Sequence, residues 1–395
     1  MSNNLSLRQR LRELDPALRE RADGAEQARR VPSASIEELS ATGLFRAFVP
    51  RRHGGDELPI SEVLEGVIEL AHGCTSTAWV GSLLSFHGLL AAWFDPRAQA
   101  ELWSGGPDVR VASSVAPAGS ALITDGGFRL SGRWSFCSGI DHSTWVMLGG
   151  LPTTAEHLAN PRRDPNTVAT QFLVPLSACT IEDDWEVAGL RATGSKSVSL
   201  RDVEVPAHRA LPLVATEPTA GQRANPQPLY QVPWQPIFNS AFPPVALGTA
   251  LANLAAFRDY IGGRVNAFTG RAARTAVGPS LRLAEATARI DAALAMFQRD
   301  GRELTEAGSA PDRPLSPSAQ ARIVYNAAFV IDQCSEAITQ LWRGSGGRAL
   351  HRGNAMQRHF RDIYAMTQHG AFDMDTCGER YGKELLSNPT FGVAR

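Results

Sequence analysis

Leu122-Ile123-Thr124-Asp125-Gly126-Gly127-Phe128-Arg129-Leu130 reads as two β-strands turning on Asp-Gly, the strongest short-range hairpin signal in the chain. It lies among short β-like runs that begin near Val109 and are broken by Gly and Pro. Trp145 to Leu151, Thr167 to Val174 and Ser195 to Val205 read as further strands. On the N-terminal side the pattern is helical. Leu7 to Arg30 is rich in Arg, Leu, Glu and Ala and is stopped by Pro32; Ile36 to Leu44 ends around Gly43. Phe48 to Pro59, with Arg51, Arg52, His53, Gly54 and Gly55, reads as a loop. From Ile60 the residues Val63, Leu64, Val67, Ile68 and Ala71 recur at helical spacing, and a further helix runs through His87 to Trp93 until Asp95-Pro96. On the C-terminal side, residues 211–243 are rich in Pro, Asn and Gln and read as a long connection. Leu247 to Ala267, Ser280 to Ala307, Pro317 to Trp342 and Met356 to His369 then have the length and amphipathicity of a four-helix bundle. The expectation is an α+β protein with a helical domain over 1–108, a β domain over 109–210, and a linker and helical bundle over 211–395.

Composition narrows the function classes. The 395 residues carry 39 Lys and Arg against 40 Asp and Glu, with no basic tract, so no nucleic-acid partner is expected. The most apolar stretch, Thr77 to Phe94, contains Ser82, Ser85, His87 and Gly88 and reads as a buried helix rather than a membrane span. The start, MSNNLSLRQRLREL, is polar and unlike a signal peptide. Cys74, Cys137, Cys179, Cys334 and Cys377 form no CxxC pair, which suggests reduced thiols in a cytoplasm. No His or Cys spacing suits zinc, so no metal is expected. No GxGxxG follows a strand, so no NAD(P)H site is expected either.

Four segments carry the chemistry. They are Ser113-Ser114-Val115-Ala116-Pro117-Ala118-Gly119-Ser120, Trp134-Ser135-Phe136-Cys137-Ser138-Gly139 with Asp141-His142-Ser143-Thr144-Trp145 behind it, and Gly189-Leu190-Arg191-Ala192-Thr193-Gly194-Ser195 leading into Val203-Glu204-Val205-Pro206. The fourth is Gly346-Gly347-Arg348-Ala349 with Gln357-Arg358-His359-Phe360-Arg361-Asp362. In this order, over most of the chain, they resemble the acyl-CoA dehydrogenases, specifically their group D flavin-dependent monooxygenase branch. The resemblance implies an N-terminal α-helical domain, a central β-barrel domain and a C-terminal four-helix bundle, assembled as a homotetramer. It implies an oxygenase component that receives reduced FAD or FMN from a separate NAD(P)H:flavin reductase and reacts it with O2 to a C4a-hydroperoxyflavin. An aromatic small molecule would then be hydroxylated or epoxidised.

A flavin ring needs an apolar slot and a few hydrogen bonds to N5 and its carbonyl edge. Small hydroxyl residues on strands supply these without crowding the ring. Isolated serines are usually turn residues, but Ser113, Ser114 and Ser138 stand in an ordered context, with Trp134 beside them. In the phenol-hydroxylating relatives a His on the N-terminal helices, two β-domain serines and a late His surround flavin and substrate. His87, Ser113, Ser138 and His369 match those places. An imidazole there would orient or deprotonate the substrate. Taken alone, His87 reads as a satisfied core histidine and His369 as a helix C-terminal residue favoured by the dipole. His142 is a weaker candidate.

Cofactor phosphate needs cations or amide donors. Arg191, Arg264, Arg271 and Arg274 are candidates, the last three reaching from a neighbouring subunit by resemblance, or else a solvated cluster. Gly346 and Gly347 would permit close backbone approach, or form only a turn. Phe86, Trp93, Phe136 and Phe372 are candidates for an aromatic pocket. The run His369 to Asp375 resembles indole and indole-acetate oxygenases, which favours an indolic substrate. An acyl-CoA dehydrogenase usually carries a Glu about nine residues after Arg361-Asp362; here that region holds His369 and no carboxylate. This argues against dehydrogenation. An N-hydroxylase of an amine or amino sugar would use the same fold, and a catalytically silent helical scaffold would need no flavin slot at all.

Overall fold

The structure, a computed structural model, describes residues 5–154, 156, 168–213, 217–265, 270–310 and 312–387. Local sequence explains most element boundaries, including two that differ from expectation. The first predicted helix is two: α1, Leu7–Arg12, and α2, Asp15–Ala28. Pro16 sits in the first turn of α2, where its missing N–H costs nothing, and it divides the two. Then follow α3 (Ser33–Thr42), ended by Gly43 in the left-handed conformation, α4 (Ile60–Gly73), α5 (Thr75–Ala91) and α6 (Pro96–Leu102), capped by Asp95. Every residue of α5 is buried, as befits a helix apolar on all sides.

The chain then becomes a sheet: β1 (Val111–Thr124), β2 (Gly127–Trp134), β3 (Trp145–Thr153), β4 (Thr170–Pro175), β5 (Thr180–Glu182), β6 (Ser197–Pro206) and β7 (Ala210–Pro212). The β1–β2 hairpin turns at Asp125-Gly126, with Thr124 opposite Gly127. Thr167, the expected first residue of β4, lies outside the described residues. The strand order is β5-β6-β2-β1-β3-β4-β7. The expected barrel is therefore an open sheet: among the described residues no ladder joins β5 to β7. It is nonetheless curled. β4 and β6 are four places apart, which in a flat sheet means roughly 19 Å. Yet Phe172 and Val174 of β4 share one core with Val198, Leu200 and Val205 of β6.

The expected connection, 211–243, is partly helical. A capping box of Thr219 and Gln222 starts α7 (Ala220–Ala224), and Pro233 precedes α8 (Trp234–Ser240). The bundle consists of α9 (Pro243–Gly262), α10 (Val277–Ala307), α11 (Pro317–Ser345) and α12 (Ala355–Thr367), joined by an unexpected α13 (Met374–Ser387). Trp234–Gly262 is long and apolar enough to cross a membrane by composition, but 78% of its most apolar window is buried within the protein. The helices before and after the sheet share a single hydrophobic core, whereas the sheet keeps its own.

Candidate active site

α5 runs against the start of β1, and the site grows from that contact. His87 Nδ1 lies 2.6 Å from the Val111 carbonyl, and Nε2 lies 2.9 Å from Ser113 Oγ. A carbonyl only accepts, so Nδ1 carries the proton and Nε2 the lone pair. Burial pushes the imidazole down to about 4, the Val111 bond opposing only partly, so His87 is neutral near pH 7. Ser113 Oγ–H then donates to Nε2. The neighbouring Ser114 turns the other way and donates to the Ser135 carbonyl at 2.9 Å.

Ser138 follows in the loop after β2. Its hydroxyl accepts from Trp79 Nε1–H at 3.1 Å, and the Trp79 ring meets His369 edge-on at 6.0 Å. His369 Nδ1 accepts the Ala371 N–H at 3.2 Å, so in the neutral ring Nε2 is the donor. Burial pushes this imidazole too down to about 4. Phe242 and Phe372 flank it at 4.9 and 5.2 Å between ring centres. The ring row continues through Phe238 and Trp234 to Trp93, whose buried indole N–H has no acceptor.

His87 with Ser113, and Ser138 with His369 and Phe372, are thus brought together along α5. Phe86 packs edge-on against Phe48 at 4.8 Å in the core. Phe136 is 69% exposed, holds a positive φ of 65° and meets Trp185 edge-on at 6.0 Å. His142 bonds the Val31 carbonyl at 2.8 Å, a packing role. Trp134 requires correction as a cofactor contact: its side chain is fully buried in the sheet core and its N–H donates to the Gly149 carbonyl at 2.6 Å.

The arginines lie elsewhere. Arg191 Nη1 donates to the Val187 carbonyl at 2.8 Å. Arg264 Nη1 donates to the Ser345 carbonyl at 2.9 Å, against Gly346, where a cation suits the C-terminal end of α11. Gly346 has a positive φ of 69° and Gly347 begins the next short turn. Arg271 and Arg274 are exposed near the start of α10. Sequence reading missed Trp79, Ser195, Thr193 and Phe242 as site residues. The signal for Trp79 was present: it sits in the same buried helix as His87, two turns earlier. Among the described residues, no three His, Cys, Asp or Glu side chains gather as a metal site.

These features suit a flavin. Buried hydroxyls and two neutral imidazoles supply hydrogen bonds without charge, and aromatic rings supply an apolar wall. Residues 240–374 match the family described as acyl-CoA dehydrogenase, C-terminal domain. The FADH2-dependent resorcinol hydroxylase, oxygenase component, of Rhizobium sp. is 36% identical over 93% of this chain and 91% of its own length. The flavin-dependent monooxygenase oxygenase subunit HsaA of Rhodococcus jostii is 34% identical over 95% of this chain and 96% of its own. The crystal structure of the 3-HSA hydroxylase from Rhodococcus sp. RHA1 superposes with a TM-score of 0.90 at 32% identity, over 99% of both chains. With that likeness along the whole chain, the protein belongs to the flavin-dependent monooxygenase oxygenase components built on the acyl-CoA dehydrogenase fold.

Proposed function

We propose that this oxygenase hydroxylates a phenol and holds the ring hydroxyl between His87 and Ser113. The carrying observation is the buried, neutral His87 with Nε2 turned to the Ser113 hydroxyl. On binding, the phenol O–H takes the place of Ser113 Oγ–H at Nε2, and the freed Ser113 hydroxyl turns to donate to the phenol oxygen. An indole N–H donates only, so the indolic substrate expected from residues 369–375 satisfies one partner and leaves the other unpaired. Drawing the phenol proton toward Nε2 raises electron density in the ring at its ortho and para carbons. Reduced flavin with O2 supplies the oxygen that those carbons take up. Ser138 and His369 would hold the flavin edge, and the rings of Trp79, Phe238, Phe242 and Phe372 would exclude water from it. The resorcinol hydroxylase relative at 36% identity supports the phenolic reading. We also infer that a separate NAD(P)H:flavin reductase delivers the flavin and that the chain assembles as a homotetramer.

Among the described residues, the carboxylates on either side of His369 are not placed as a dehydrogenase base. Asp362 accepts the Leu190 N–H, and Asp373 is exposed and caps Thr376.

The test supplies FADH2 from a reductase and compares resorcinol with indole. Resorcinol should be hydroxylated with little peroxide, and indole poorly. His87→Ala should lower hydroxylation by the ~10²–10⁴-fold typical of a lost acid–base group, with the lost turnover reappearing as hydrogen peroxide. Equal turnover of both substrates by the parent protein would sink the two-point reading.

A further inference from the structure

Ser138 belongs to a chain of hydroxyls that has a direction. Trp79 Nε1 is 3.1 Å from Ser138 Oγ, which is 2.7 Å from Ser195 Oγ. Ser195 Oγ is 2.6 Å from Thr193 Oγ1, which is 2.8 Å from the Leu190 carbonyl oxygen. The three hydroxyls are all buried. Three hydroxyl hydrogens must serve three contacts. The carbonyl accepts only, so Thr193 donates to it. Thr193 then accepts from Ser195, and Ser195 accepts from Ser138. The indole at the other end donates only, and this order leaves a Ser138 lone pair to accept it. One assignment satisfies every contact.

The consequence falls on Ser138. Its hydrogen is committed to Ser195, and one lone pair takes the Trp79 N–H. What remains is one lone pair, an acceptor with no donor. The chain is anchored as well as directed. Leu190 holds a left-handed φ of 54°, and its N–H donates to Asp362 Oδ1 of α12 at 2.7 Å. The carbonyl that sets the direction is therefore aimed by the bundle.

Flavin N5 changes character with redox state: oxidised N5 accepts a hydrogen bond, and reduced N5 carries a hydrogen and donates. We infer that the Thr193–Ser195 chain makes Ser138 a redox discriminator, matched to N5–H of reduced flavin and mismatched to oxidised flavin. This rests on the reading that the flavin edge lies against Ser138. Thr193 and Ser195 are positioning residues that act through Ser138. Such selection suits a protein that must take reduced flavin from a reductase and let the oxidised product go.

The experiment measures two dissociation constants without turnover: FADH2 titrated anaerobically and FAD titrated in air, each followed by tryptophan fluorescence. The parent should bind FADH2 more tightly. In Ser195→Ala the Ser138 hydroxyl is free to rotate and donate to N5, so FAD should bind better. The ratio of the two constants should fall by the roughly two- to twelve-fold that one hydrogen bond represents. Ser195→Thr restores the hydroxyl and should restore the ratio. Thr193→Val cuts the same chain with little change of volume and carries the test should Ser195→Ala not fold. A folded variant with a cut chain and the parent ratio overturns the inference. Ser138→Ala tells the two failures apart. If it alters the ratio while Ser195→Ala does not, the chain alone is wrong; if it alters neither constant, the flavin placement is wrong as well.

Discussion

His87 and His369 are held as opposite tautomers, one offering an acceptor at Nε2 and the other a donor, and neither is charged near neutral pH. The reason is burial next to a fixed backbone partner, a carbonyl in one case and an N–H in the other. That burial has a cost in acid. A histidine whose folded value lies below the ordinary 6.5 contributes stability that is complete above pH 6.5 and is lost as pH falls toward the folded value. His87, at about 4, and the equally buried His359, at about 3, should each withdraw several kcal/mol of stability across that window. Asp362 opposes them. Burial raises it to about 6, so its contribution is present below its ordinary 3.8 and lost as pH rises through 6. Melting curves between pH 7 and 5 should therefore show falling stability, with a shallower fall in His87→Gln. An equal slope in parent and variant would mean that His87 is not held neutral by the fold.

The turn between β5 and β6 is the element that joins sheet to bundle. A Cβ at Gly189 would lie 2.0 Å from the Arg361 carbonyl oxygen, so the turn rests directly on the α12 backbone. Arg361 Nη1 returns a bond to the Ala188 carbonyl at 2.7 Å, and Trp185 Nε1 donates to the Leu190 carbonyl at 3.2 Å. Only glycine fits at 189. Gly189→Ala should cost about 1–3 kcal/mol by overpacking, read as a lower denaturant midpoint. Asp362→Asn keeps an acceptor for the Leu190 N–H and should stay near the parent midpoint. Asp362→Ala strands that buried N–H and should cost about 1–3 kcal/mol. Identical midpoints for the Asn and Ala variants would show that the bond does not hold the turn.

Across the whole molecule, the helices from both ends share one core and the sheet docks its hydroxyl-bearing loops onto it. The far end of the bundle is less complete. Val277 and Leu281 at the start of α10 are 73% and 65% exposed, and Leu350 beyond the end of α11 is 68% exposed. Arg264 and Gly346 lie at the same end. Large exposed apolar side chains of this kind are what the proposed tetramer would cover. Light scattering behind size exclusion should give a tetramer for the parent and a smaller species for Leu281→Glu. A monomeric parent would remove the assembly reading and with it any role for Arg264, Arg271 and Arg274 across subunits.

Local pattern was enough for the order of elements, because an Asp-Gly hairpin, helix-stopping prolines and apolar spacing act within a few residues. It singled out Ser113, Ser138, His87 and His369 as candidates because they stand in motifs. It misplaced Trp134, since a buried sheet-core tryptophan and a cofactor contact look alike in a strand. It joined α1 to α2 because apolar spacing continues past Pro16. What only the tertiary structure decided are the bonds across long separations. Ser138 meets Ser195 57 residues away and Trp79 59 residues away, and Leu190 meets Asp362 172 residues away. Hydroxyl direction and imidazole tautomer are set by which partner accepts and which donates. That is fixed only when the sheet, α5 and α12 close around the same few atoms.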